Sequence, residues 1–337
     1  MTLIFPPSRT FCGLFWVTLF CLFGAGCGLA PVNGRGVEVV VLGTAQDAGL
    51  PHIGCEKANC ELARAEGRRE KVAALGVQGH SGWWLLDATP DLPAQIQAMG
   101  GLPNAIFLTH AHIGHYTGLM YLGREALGAH KVPVWCSQRL ADFLRNNGPW
   151  EQLIQLQQIE LHILPPNTPV ELEPGLSLTA LPVPHRDEYS DTYGFQLHHQ
   201  NGRSLLFIPD IDQWHQWPRQ LIDFLQPDAT LLLDGTFYSG AELPHRDLSE
   251  IPHPLVSSTM DQLETLPQLS QATTWPCQIG FIHLNHSNPL WNASSAESAD
   301  LHQRGFFVAR EGMRFALSDS PVAKPSSNTP AATNHAP

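Results

Sequence analysis

The segment Thr109-His110-Ala111-His112-Ile113-Gly114-His115 places three imidazoles within six positions. Histidines two apart on an extended turn point to the same side, so His110 and His112 can grip one ion. His115, on the following turn, faces an adjacent position. Imidazole is a borderline ligand suited to zinc, iron or manganese. A polar loop with surface histidines accounts for an isolated His-x-His pair. It accounts poorly for His-x-His-x-x-His when His185, Asp210 and His283 recur in equivalent places downstream.

Those places are the ends of strands. Apolar, β-branched-rich runs at 104–108, 176–182, 204–208 and 278–282 stop just before His110, His185, Asp210 and His283. In a layered α/β fold, strand ends at one rim converge on a site. Further strands are predicted at 37–42, 82–86, 132–136, 194–199 and 229–233, with 194–199 and 204–208 pairing around Asn201-Gly202. Runs 306–310 and 313–317 flank a Glu311-Gly312 turn. Helices are predicted at 61–72, 92–99 and 138–146, and 43–60 reads as a loop rich in Gly, Ala, Asp and Pro.

The chain has 337 residues and is 43% hydrophobic, enough for one large core. Its formal net charge of −12, with no long Lys/Arg run, argues against a nucleic-acid partner and leaves a small-molecule substrate. Oligomeric state is not legible. The seven cysteines are too scattered for a small disulfide scaffold.

The N-terminus reads as a leader. Arg9 precedes an apolar run over 11–26, short for a membrane span and suited to a signal-peptide core. It ends in Gly24-Ala25-Gly26-Cys27, which resembles a bacterial lipobox except at Gly24, where leucine is usual. Cleavage after Ala30 would put the disfavoured Pro31 next. The expectation is a lipoprotein lipidated at Cys27, anchored to the membrane and facing the periplasm in the cell envelope. Plain export and an uncleaved anchor are the alternatives. The divisions expected are a leader at 1–27, a linker at 28–36, one domain at 37–317, and a tail at 318–337 whose Ser, Pro, Ala, Thr and Asn cannot bury a core.

The histidine segment resembles the H-x-H-x-D-H signature of the metallo-β-lactamase superfamily. Pro184-His185, Pro209-Asp210 and Ile282-His283 follow in that family's order. The resemblance implies a four-layer αββα sandwich. It implies a first ion held by His110, His112 and His185, a bridging Asp210, and a second ion at His115, Asp210 and His283. Gly114 stands where the family has an aspartate for the second ion, so one ion, two, or none are open outcomes. Zinc is the expected cofactor, with iron or manganese as alternatives.

Several further segments, among them Leu42-Gly43-Thr44-Ala45, Cys55 to Cys60, His115-Tyr116-Thr117-Gly118-Leu119 and Leu233-Asp234-Gly235-Thr236, are similar to the branch holding pyrroloquinoline quinone biosynthesis protein B. That branch usually has a degraded first motif and lacks the bridging aspartate, both present here. In those relatives a cysteine cluster and a histidine form a structural zinc site. Here Cys55, Cys60 and His286 match it, Lys57 replaces a cysteine, and His52 is the candidate fourth ligand. A disulfide or free thiols are the other readings. Asp87 and Asp234, at strand ends, are candidates to orient ligand histidines. His245 and His253 fall in a Pro-rich insert and read as solvated loop. Cys136 and Cys277 read as buried small hydrophobes.

The leading functional reading is a metal-dependent hydrolase acting on an ester or phosphodiester-type substrate, with Asp210 and His115 as catalytic candidates. The first alternative is an iron-dependent oxygenase of pyrroloquinoline quinone synthesis. The second is a non-catalytic envelope protein that binds a metal or small ligand.

Overall fold

In the first strand Val39 and Val41 face one way and Val40 and Leu42 the other, and all four are buried. A strand with two apolar faces needs cover on both, and that requirement builds the molecule in layers. The computed structural model describes residues 36–319, apart from 245, 248–249 and 271–274. The leader, Cys27, most of the linker, His245 and nearly all of the tail lie outside the described residues.

The first sheet contains β1 (Glu38–Gly43), β2 (Ala74–Gln78), β3 (Trp83–Leu86), β4 (Ala105–Phe107), β5 (Val132–Cys136) and β6 (Ile159–Ile163). The second contains β7 (Pro169–Glu173), β8 (Leu176–Val183), β9 (Thr192–His199), β10 (Ser204–Ile208), β11 (Thr230–Asp234), β12 (Gln278–Ile282) and β13 (Phe307–Val308). Strand β14 (Arg314–Ala316) returns to the first sheet beside β1. The strand orders are β14-β1-β2-β3-β4-β5-β6 and β13-β12-β11-β10-β9-β8-β7. Each sheet begins antiparallel and turns parallel, at β3–β4 in the first and at β10–β11 in the second. The parallel strands therefore end at a common rim.

Three apolar clusters fill the spaces between four layers. Phe107, Phe195 and Phe207 lie between the sheets. On the outer face of the first sheet, Leu85, Ile106 and Val134 pack under α2 (Leu92–Met99), α4 (Gln138–Asn146) and α5 (Trp150–Gln155). On the outer face of the second, Leu206, Leu231 and Phe281 pack under α6 (Val256–Glu264) and α8 (Ala296–Gln303). This is the αββα sandwich expected from the sequence. Cys136 and Cys277 are buried as small hydrophobes, and burial pushes their thiols up to about 12 and about 11, which leaves them unreactive.

Three differences from the sequence reading have physical causes. The predicted helix at 61–72 is α1 (Ala58–Ala65) and stops early. Gly67 follows it at φ 63°, a left-handed position glycine adopts without strain, and the chain then runs extended, with Glu70 bridged to Leu50. Strands β2, β6 and β7 were not foreseen. The two runs flanking Glu311-Gly312 join different sheets, so that turn carries the chain from one sheet to the other.

The insert between β11 and α6 carries a half-buried carboxyl, Glu242, which accepts from the Tyr238 and Ser239 amides and from Ser287 Oγ. Burial outweighs those bonds and pushes Glu242 up to about 7, from 4.5 in an exposed chain. The folded-state value is the higher one. Between pH 4.5 and 7 the unfolded chain therefore releases a proton that the folded chain keeps, and stability falls as pH rises through this window. Above pH 7 the penalty is constant. Glu242→Gln should relieve it, by about 1–2 kcal/mol at pH 8 after allowance for solvent screening. Thermal melts of both proteins from pH 4 to 9 check this. The gap between their midpoints should open from pH 4.5 to 7 and then level, whereas a pH-independent gap would refute the assignment.

Candidate metal centre

The first half of the centre is built at the ends of β3 and β4. Asp87, fully buried, follows β3 at φ 70°, a conformation that costs energy for any residue with a Cβ. Its Oδ1 accepts the Thr109 amide at 2.8 Å, and the Thr109 hydroxyl donates to the same carboxylate at 3.0 Å. That hydroxyl, its proton committed, accepts from His110 Nδ1 at 2.9 Å. Asp87 Oδ2 also accepts from His115 Nδ1 at 2.7 Å. His112 immediately precedes α3 (Ile113–Tyr116), and His115 lies within that helix.

The second half repeats the arrangement at the ends of β11 and β12. Buried Asp234 accepts the Thr236 amide at 2.9 Å and the Thr236 hydroxyl at 2.7 Å. Thr236 Oγ1 accepts from His283 Nδ1 at 3.1 Å. His283 follows β12 and, like Asp87, has positive φ, at 64°. His185, beyond β8, donates from Nδ1 to Asp212 Oδ1 at 2.9 Å. With each Nδ1 engaged as a donor, the Nε2 lone pairs of His110, His185 and His283 are left facing inward, and His115 Nε2 points to the same place.

Those lone pairs converge on Asp210, which lies beyond β10. Its Oδ2 is 3.0 Å from His115 Nε2, 3.3 Å from His283 Nε2 and 3.9 Å from His110 Nε2, and its Oδ1 is 3.7 Å from His185 Nε2. His115 and His283 bring their Nε2 atoms to 3.3 Å of each other. His110 Nε2, His185 Nε2 and Asp210 Oδ2 are buried without a hydrogen bond of acceptable geometry. Buried polar atoms are rarely left so. Lone pairs aimed at lone pairs around a carboxylate fit a cation. The residues present therefore fit a metal ion on two sets of donors, His110 with His112 and His185, and His110 with His115 and Asp210.

The electrostatics agree. Burial holds His110 well below the usual imidazole range, with the charge of His115 adding to the effect, and burial also lowers His112 and His283. These rings are in the neutral, ligating form. Burial opposes a charge on His115 too, but Asp87 and Asp210 outweigh it and raise His115 well above the usual range. Burial likewise opposes ionised Asp210, yet His283 and His115 hold it well below the usual carboxylate range. The pocket demands positive charge between its carboxylates.

The structure brings all six expected ligands together and adds residues that sequence reasoning missed. His253, read as part of a solvated loop, is 5% exposed and donates from Nδ1 to Asp234 Oδ2 at 2.8 Å, with Asp210 Oδ1 at 3.7 Å. Asp212 is the orienting partner of His185. Glu188 Oε2 lies 3.3 Å from His112 Nε2. Asp47, on the loop after β1, lies within reach of His115 and His283. Asp47 follows a strand end, as the predicted residues do, but its approach to His115 and His283 depends on the distant bridge between Ala45 and Leu284.

A second donor group lies apart from this centre. Cys55, Cys60 and His286 converge, with His286 Nδ1 3.3 Å from Cys55 Sγ and 3.7 Å from Cys60 Sγ. Both cysteines are unbridged. Burial lowers His286 to about 4, so its ring is neutral. His52 does not join this group. Its ring lies against His286 at 4.5 Å between centroids, and its Nδ1 is bonded to the Ile53 carbonyl.

Residues 82–277 match the beta-lactamase superfamily domain. The chain belongs to the metallo-β-lactamase superfamily. Within the superfamily it stands in the branch of coenzyme PQQ synthesis protein B. It is 30% identical to that protein of Stutzerimonas stutzeri over 319 residues, covering 83% of this chain and 100% of the relative. In fold it resembles zinc-bound PqqB from Methylobacterium extorquens, with TM-score 0.68 and 24% identity over 82% of this chain and 99% of that one. It also resembles a diphosphatase from the PhnP family, with TM-score 0.60 and 22% identity over 83% and 97%. This membership corrects the expectation of an envelope lipoprotein. The relatives matched along their full length are named as proteins of coenzyme PQQ synthesis.

Proposed function

We propose that this protein is a metal-dependent hydrolase of a small-molecule ester or phosphodiester, with zinc as its ion. The observation that carries the reading is the set of buried, unpartnered His110 Nε2, His185 Nε2 and Asp210 Oδ2 atoms. Imidazole with carboxylate is a donor set suited to zinc. When bound, the ion supplies Lewis-acid polarisation of a substrate oxygen and a lowered pKa for water. His110, His112 and His185 are its first holders. Asp87 and Asp212 fix the tautomers of His115 and His185, keeping their Nε2 lone pairs aimed inward. Asp210 offers a carboxylate oxygen that can accept a hydrogen bond from water and so orient its attack. His253, tethered to Asp234, lies 3.7 Å from Asp210 Oδ1.

A second reading is favoured by the 30% identity to coenzyme PQQ synthesis protein B. In that reading the same donors would hold iron(II), and the chemistry would be an oxidation by O2 in formation of that coenzyme. Separate reconstitution of the full chain with Zn(II), Mn(II) and Fe(II) discriminates. The proposal expects hydrolysis of p-nitrophenyl esters or bis(p-nitrophenyl) phosphate with Zn(II) or Mn(II), and no oxygen uptake with Fe(II). Oxygen uptake with Fe(II) and no hydrolysis with any ion would establish the second reading instead.

A further inference from the structure

Gly114 sits in α3 between His112 and His115, and a side chain cannot be built there. A Cβ at 114 would lie 2.5 Å from Asp47 Oδ1 and 2.6 Å from Asp47 Cα. The space beside His115 is therefore already taken, by a carboxylate from another element. Asp47 Oδ1 accepts the Gly114 amide at 3.1 Å and lies 4.0 Å from His115 Nε2. Asp47, His115 and His283 each bring a ligand atom within 4.8 Å of the others.

The loop bearing Asp47 is held in place. The Gln46 amide donates to the Leu284 carbonyl at 2.9 Å, and Asn285 Nδ2 donates to Gln46 Oε1 at 2.6 Å. Ala45 is bridged to Leu284, next to His283. The β1 loop is thus tied to the segment that carries His283. Asp210 Oδ2, buried and unpartnered, lies 3.3 Å or less from both His115 Nε2 and His283 Nε2. Two inward-facing imidazole nitrogens, one orphan carboxylate oxygen and the Asp47 carboxylate surround one point.

We propose that Asp47 is the fourth donor of a second metal site, with His115, Asp210 and His283, replacing from the β1 loop a ligand that position 114 cannot supply. The site takes a divalent cation that prefers imidazole and carboxylate donors. Its two carboxylates balance the cation's charge. Asp47 is 30% exposed, so its carboxylate can be reached from solvent. The inference rests on the metal-hydrolase reading for its first ion. It differs from that reading in requiring two ions and in assigning Asp47 a role.

Mn(II) is the probe for the test, because thiolates bind it weakly and Cys55 and Cys60 then do not confuse the count. Full-length protein, stripped of metal, is titrated with Mn(II) by calorimetry and by electron paramagnetic resonance. The wild type should bind two equivalents and give the signal of an exchange-coupled pair. Asp47→Asn keeps an acceptor for the Gly114 amide and loses only the charge. It should retain the first equivalent, weaken the second by more than about 100-fold, and give a mononuclear signal. A coupled pair that persists unchanged in Asp47→Asn overturns the proposal. One equivalent in the wild type overturns it while leaving the hydrolase reading intact, and no binding at all overturns both.

Discussion

Asp210→Asn will lose tight metal binding and, with it, all turnover. The carboxylate sits among the Nε2 atoms of His110, His115, His185 and His283, at 3.0 to 3.9 Å, and supplies the central negative charge. Loss of a hydrogen-bond partner behind a ligand typically costs 10–100-fold in metal affinity, and loss of the ligand itself must exceed this, so a fall of more than about 100-fold is expected. Thermal stability gives an activity-free readout. A ligand present at 100 times its Kd stabilises by about 2.7 kcal/mol. The wild type should therefore melt several degrees higher with added Mn(II), which the Cys55 and Cys60 thiolates bind weakly, and Asp210→Asn should not respond at that concentration. An equal rise in both proteins would remove Asp210 from the centre.

Asp87 carries the second large effect, and its two substitutions separate folding from ligand orientation. Asp87→Ala strands the Thr109 amide, the Thr109 hydroxyl and His115 Nδ1 in a site with no solvent access. Breaking a buried charged pair in this way costs about 3–5 kcal/mol, and the midpoint of unfolding should fall by roughly 10 °C. Asp87→Asn keeps an oxygen for the Thr109 amide. Its NH2 group, however, would face His115 Nδ1 and force that nitrogen to accept, which puts the ring proton on Nε2, pointing into the centre. Asp87→Asn should therefore remain folded and lose metal affinity 10–100-fold. Normal affinity in Asp87→Asn would show that the His115 tautomer is not set by Asp87.

The residues that converge on the centre were legible in the sequence because they follow apolar strands. Strands β10, β11 and β12 are buried on both faces, so they read as unbroken hydrophobic runs, and the polar residue that ends each run stands out. Strand β2 did not stand out. Its Ala-Leu-Gly-Val-Gln has weak β-propensity, and its burial comes from neighbours on either side. Edge strands β6 and β7 mix polar and apolar residues and carry no clear pattern.

The residues that complete the centre were hidden for another reason. Asp47, Asp212 and His253 lie on loops whose reach depends on contacts distant in sequence. Asp47 is brought in by the bridge from Ala45 to Leu284, and His253 by the return of a Pro-rich insert onto Asp234. No periodicity encodes those contacts. The absence of a side chain at Gly114 was visible in the sequence, but the carboxylate that occupies its space lies 67 residues away. The group at Cys55, Cys60 and His286 was similarly half legible. Its three convergent members were apparent, whereas His52 was drawn in by proximity in sequence and lies instead against the His286 ring.

The central claim is that strand ends of both sheets hold a metal ion between His110, His112 and His185. Anomalous diffraction at the zinc edge, from crystals of the full chain grown with Zn(II), tests it most directly. A peak about 2.0–2.1 Å from a ring nitrogen of each of the three histidines is the predicted result. Density with no anomalous peak among them, or a peak only at Cys55, Cys60 and His286, would contradict it.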